Sequence, residues 1–318
     1  EAARTLTAKL DNPLADAYLF LVEGQSNYMF GRWKDSSDAL EEAEKILVEK
    51  CTGVTWELNS SRFFWGNSLV YQGRWNELGR RLGRWIKDAR ERGDIYAFSN
   101  LQILGTRCVT LAAGDVDRAL QEIDDGMQLW TSEQFGVPHF TAEMSRVQLD
   151  LYRGDNHRAV QRIDALWPEF SRSMMRRIQL CRIHAHQHSA FASLALAAAG
   201  SGKTRSPGSL LRAARGHARS LRREKTPWAS AFAEYIEATL HHLQGDAEQC
   251  AVGLRTAITS LERAQMLFYA AAARARLGRL LGSEQGRQLI ESAETLYTEQ
   301  GVSDPGRLVK MMAPGFTE

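Results

Sequence analysis

Apolar residues recur along the chain at the three- and four-residue spacing of an amphipathic helix, and β-strand alternation is nowhere sustained. Leu19, Leu21, Val22 and Met29 form one such set, and Phe232, Tyr235, Ile236 and Leu243 another. A recurring phrase punctuates the pattern: a large apolar residue, a Gly, a polar residue or two, and a small residue five positions after the Gly. It reads Tyr71-Gln72-Gly73 with Leu78, Ala113-Gly114-Asp115 with Ala119, Arg153-Gly154-Asp155 with Ala159, and Gln244-Gly245-Asp246 with Cys250. Gly31-Arg32-Trp33 fits it loosely.

Gly31, Gly73, Gly114, Gly154 and Gly245 are 42, 41, 40 and 91 residues apart, and Gly200 divides the last interval into 46 and 45. With Gly282, 37 residues after Gly245, the chain reads as seven units with a period near 40. Each Gly is expected to end a helix in the left-handed conformation, and Asp115, Asp155 and Asp246 to cap the next. Small residues seven positions before the turn, Gly24, Gly66, Ala238 and Ala275, let paired helices approach closely. First helices are predicted near 13–30, 55–72, 95–113, 138–153, 172–199, 227–243 and 264–281, each followed by its partner. One pair cannot bury its own apolar face, so neighbours must stack. The expected fold is all-α: a right-handed superhelical solenoid of about seven antiparallel helix pairs, one domain over 1–318, with a concave inner wall. The fifth unit is irregular, a polar loop over Gly200–Gly208 replacing the short turn.

The turn phrases resemble tetratricopeptide repeats, with a longer period than that family's. The unit is similar to the helical-repeat sensor regions at the C-terminal end of bacterial signalling ATPases, including the maltose-type activators, and of serine/threonine kinases fused to such ATPases. The kinase-linked version is carried by Cys51-Thr52-Gly53-Val54-Thr55-Trp56-Glu57, Arg92-Gly93-Asp94-Ile95-Tyr96, Lys225-Thr226-Pro227-Trp228-Ala229 and Met312-Ala313-Pro314-Gly315-Phe316. The resemblance implies a non-catalytic sensor or scaffold arm regulating an ATPase or kinase elsewhere in the polypeptide. No kinase motif maps onto this segment.

Forty Lys and Arg against 38 Asp and Glu give a net charge of +2, too balanced to point to nucleic acid. The four cysteines, Cys51, Cys108, Cys181 and Cys250, lie far apart and read as reduced, buried residues. No run of 18 apolar residues and no signal-peptide pattern appears, so the expected location is the cytoplasm, without membrane contact. The first residue, Glu1, is taken to mark a piece of a longer protein.

Gly200-Ser201-Gly202-Lys203-Thr204 resembles the end of a phosphate-binding loop, but the pattern needs Gly where Ala197 stands and a strand where an alanine-rich helix is expected. His184 and His188 share a helix face near Cys181 and His186, but two such ligands without a third do not make a metal site. Arg212, Arg215, Arg219, Arg222 and Arg223 form a basic stripe suited to an acidic partner or to a solvated face. No catalytic constellation is found, and no cofactor or metal is expected.

The inner wall is assigned to the first helices, where positions near four, eight and eleven before each turn Gly form a polar column. The candidate groove residues are Glu23, Asn27, Arg62, Trp65, Thr106, Glu143, Arg146, Asp150, Glu234, Glu237, His241 and Arg274. The expected partner is a protein or peptide, other domains of the same polypeptide included. A small effector in the groove and a purely structural or oligomerising arm are the alternatives.

Overall fold

The computed structural model describes residues 5, 7, 11–200 and 205–317. They form fifteen α-helices, with no strand among the described residues. Seven first helices are α1 Pro13–Met29, α3 Thr55–Gln72, α5 Ile95–Gly105, α7 Val137–Arg153, α9 Gln179–Ala198, α11 Pro227–Leu243 and α13 Leu267–Leu281. They alternate with seven second helices: α2 Trp33–Lys50, α4 Trp75–Glu91, α6 Val116–Gln128, α8 Asn156–Arg172, α10 Pro207–Arg223, α12 Ala247–Arg263 and α14 Glu284–Glu299. A short α15, Pro305–Met312, follows. Helices pack chiefly on their chain neighbours, which makes the array an all-α helical solenoid.

Local chemistry sets the element boundaries. The seven turn glycines all have φ between 61° and 83°. Asp115, Asp155 and Asp246 accept hydrogen bonds from the amides three residues on, at 3.0, 3.2 and 3.1 Å. A Cβ on Gly66 would stand 2.6 Å from Leu104, so the small residue there permits the close approach of α3 and α5. Three boundaries depart from the sequence reading. The fifth first helix starts at Gln179, because α8 runs on to Arg172 and a 3-10 turn, Met174–Arg177, intervenes. Helix α10 starts at Pro207, whose missing N–H costs nothing at a helix start, with the Ser206 hydroxyl capping Ser209. The third first helix passes into a π-helical turn, Thr106–Thr110.

The solenoid closes on itself after five units. A Cβ on Gly31 would lie 2.6 Å from the Trp228 ring, one on Gly73 2.5 Å from Phe268, and one on Gly114 2.8 Å from Ser303. The turns of units one, two and three thus meet the segments that open units six and seven and the helix α15. Gly154, Gly200, Gly245 and Gly282 meet nothing within 4 Å. Hydrogen bonds repeat the same offset. The side-chain carbonyl of Gln265 accepts from the Lys34 amide and that of Gln300 from the Asn76 amide, both at 3.2 Å. The Ser303 amide donates to the Ala112 carbonyl at 2.8 Å. Arg32 and Arg74 supply no side-chain cap to α2 and α4, so the two glutamines take over that work from the next superhelical turn. Trp33 stacks on Tyr71 at 4.1 Å and meets Trp228 edge-on at 5.5 Å, sealing the junction with fully buried rings.

The end of the chain is tied across this second turn. The Tyr235 hydroxyl and Arg276 Nε donate to the carbonyls of Pro314 and Ala313, each at 2.8 Å, and Phe316 stacks on His242.

Candidate functional site

The first helices of units one to five enclose a cavity of about 810 Å³. Helix α3 contributes most: Trp56, Asn59, Ser60, Phe63 and Asn67 recur every three or four residues and so share one face. Val137, Phe140, Thr141 and Met144 do the same on α7. Tyr28 comes from α1, Tyr96 and Arg107 from the third unit, and Cys181 and His184 from α9. Trp56 and Tyr96, 66% and 47% exposed, stand at the rim, whereas Tyr28 and Phe140, at 1% and 3%, lie at the base. The volume and the aromatic lining with few polar groups are those of a small-molecule site.

One cation enters this apolar cup. Arg107 lies in the π-helical turn, where the widened spacing changes which residues face inward. Its Nη2 donates to Asn67 Oδ1 at 3.1 Å, and Asn67 is itself held by donating to the Phe63 carbonyl at 2.8 Å. Arg107 Nε is buried without a hydrogen-bond partner, and no carboxylate lies within 4.0 Å of the guanidinium among the described residues. The Tyr71 hydroxyl and His184 Nε2 are hydrogen-bonded at 2.8 Å. Burial, then the neighbouring His188 and the Arg107 charge, holds the His184 pKa well below its ordinary value, so His184 is neutral at pH 7. Burial pushes the Cys181 thiol up to about 12, which leaves it a poor nucleophile. Asp94, at the other end of the third-unit helix, is spent on Asn59 and on capping the Ala97 amide.

None of the twelve sequence-predicted groove residues lines this cavity. Most of them pair instead with side chains of the second helices. Arg62 pairs with Glu44 at 2.9 Å and with Asp88. Trp65 packs on Trp85 under the Arg81 guanidinium, 3.9 Å from its ring. Thr106 bonds Glu122, Arg146 bridges Glu143 and Asp124, and Asp150 pairs with Arg162 at 2.6 Å. Glu237 pairs with Arg222 and Arg274 with Glu262, while His241 stands 3.7 Å from Asp246. Glu23 and Asn27 are partly buried on α1, and Glu234 keeps one carboxylate oxygen buried without a hydrogen-bond partner. On the first helices the polar column and the cavity lining occupy different faces. On α3 the cavity uses Asn67, Phe63 and Ser60 rather than Trp65 and Arg62. The signal in the sequence was the breadth of apolar surface on α3, where Trp56, Phe63, Phe64, Trp65, Leu69 and Tyr71 cover more than the stripe a single packed face requires.

The remaining candidates fall elsewhere. Of the phosphate-loop-like run, residues 201–204 lie outside the described residues, and 191–198, ahead of it, is helix. Among the described residues no three His, Cys, Asp or Glu side chains are grouped to hold a metal. Arg212, Arg215, Arg219 and Arg223 lie exposed on α10, while Arg222 is taken up by Glu237. No helix among the described residues is long and apolar enough to cross a membrane.

Fold and cavity together define the class of molecule: an all-α helical-repeat solenoid wound into a cup. No family model matches the chain, and no curated protein matches it.

Proposed function

We propose that this chain is a non-catalytic sensing module whose cup takes up a small molecule, and that occupancy is passed to a signalling ATPase or kinase of the kind its repeats resemble. The observation that carries this reading is that one cavity is lined by five successive first helices. A molecule bound there touches five units at once, so its binding energy depends on the curvature of the whole array. A protein or peptide partner is a poorer fit to the polar column, because its charged side chains are largely occupied by side chains of the second helices.

The reading is tested by scanning thermal denaturation against a metabolite library, with Ser60→Trp as a cup-filling control. A ligand at a hundred times its Kd adds about 2.7 kcal/mol to stability. That corresponds to a rise of roughly 5 °C in a protein of this size. The expected result is such a rise in the wild type and none in Ser60→Trp; equal rises in both, or none with any compound, would sink the reading.

A second reading, a rigid arm that positions a partner without any ligand, is favoured by the interlocking of unit one with unit six and unit two with unit seven.

A further inference from the structure

The cup carries information about its ligand, and the inference here rests on the sensing reading above. A guanidinium exposed to water is well solvated, whereas one whose Nε is buried, as in the half-buried Arg107, loses part of that solvation and normally recovers it from a carboxylate. Arg107 has none: its Nη2 donates to the neutral Asn67, its Nε is buried without a hydrogen-bond partner, and no acid lies within 4.0 Å among the described residues. Its charge is felt by Tyr28, Tyr71 and His184, all of them neutral groups at pH 7. Asn67, anchored on the Phe63 carbonyl, turns its oxygen rather than its amide group to the guanidinium, and so positions the cation without discharging it.

We infer that the ligand is a small organic monoanion, a carboxylate on an apolar or aromatic body, with the carboxylate seated on Arg107. The charge count selects a monoanion: Arg107 is the one basic side chain in the lining besides the neutral His184, and the one acidic group there, Asp94, is thirteen residues away along the same helical segment. Its carboxylate is held by Asn59 and the guanidinium by Asn67, eight residues apart on α3, so at about 1.5 Å per residue the two charges stand roughly 12 Å apart, and the repulsion of a carboxylate held at Arg107 is weak beside the contact with the guanidinium. A phosphate dianion would leave one charge unmatched in an apolar site. The body is fitted by Phe63, Phe140 and Met144 in the lining and by Trp56 and Tyr96 at the rim, where aromatic faces accept a flat or branched hydrocarbon.

The test uses matched pairs that differ in charge alone: 4-phenylbutyrate and its amide, indole-3-propionate and its amide, decanoate and its amide. Binding is read by isothermal titration at low salt. The expected result is that the acids bind the wild type at least tenfold more tightly than their amides, and that Arg107→Met abolishes the preference while Arg107→Lys keeps part of it. Amides binding as tightly as acids, or a preference that survives in Arg107→Met, would overturn the anion assignment and leave the cup intact. Binding of neither acid nor amide to the wild type would overturn the cup reading together with it. The comparison of acid with amide is made in the wild type, so it stands even where Arg107→Met fails to fold.

Discussion

Arg62 shows how a polar residue on a first helix serves the fold. Its guanidinium, 5% exposed, is bonded to Glu44 and Asp88, and Glu44 also accepts from the Trp85 indole at 2.9 Å. Arg62→Met leaves a buried carboxylate short of its counter-charge and should cost about 3 kcal/mol, measured as a lower urea midpoint. A loss under about 1 kcal/mol would mean that water reaches Glu44. The buried histidines set a pH dependence. Burial lowers His188 to about 4, the Arg107 charge adding to it against the opposing His184 carbonyl, and burial with His186 lowers His217 to about 4. In the unfolded chain both protonate near 6.5, so between about 6.5 and 4 the unfolded state binds more protons. Stability is therefore full above pH 6.5 and falls as the pH drops towards 4, by on the order of 3 kcal/mol for each histidine. Urea midpoints that stay level across that window would contradict this.

At the scale of the helix pair, the turn glycines separate local from long-range demands. Gly154 has φ +82 and open space around it, so Gly154→Ala should cost only the left-handed strain of about 1–2 kcal/mol. Gly73 has φ +71 and the Phe268 ring against it, so Gly73→Ala adds overpacking and should cost about 1–3 kcal/mol more. Thermal unfolding of the two variants side by side checks the difference; equal losses would mean that the second turn yields freely. The period of the units, their turns and three of their caps were legible in the sequence because each depends on residues within one unit. The third first helix was less so: the π-helical turn at Thr106–Thr110 carries no composition signal, yet it bears Arg107. The cavity face was missed for a related reason. A first helix is covered on one side by second helices and borders the cup on another, and both faces show helical periodicity.

Across the whole molecule, closure after five units changes what the solenoid can do. An open repeat array is stabilised by nearest neighbours alone and can fray from either end. Here Gln265 and Gln300 reach back to cap α2 and α4, so the two turns protect each other. Gln265→Ala together with Gln300→Ala should speed hydrogen exchange at the Lys34 and Asn76 amides by about tenfold, the worth of roughly one hydrogen bond each. Unchanged exchange at those two amides would show that the contacts are incidental. The loose fit of Gly31-Arg32-Trp33 to the repeat phrase now has a reason. Units one and two carry Gly-Arg-Trp where units three and four carry Gly-Asp, since a Trp roofed by the second turn, and a Gln arriving from it, replace the self-capping Asp. From the sequence alone came the helical class, the pairing and the register of the turns, all governed by interactions spanning a few residues. The closure, the cup and the isolation of Arg107 within it depend on contacts between residues up to 231 positions apart, set by the superhelical pitch, and only the tertiary structure decided them.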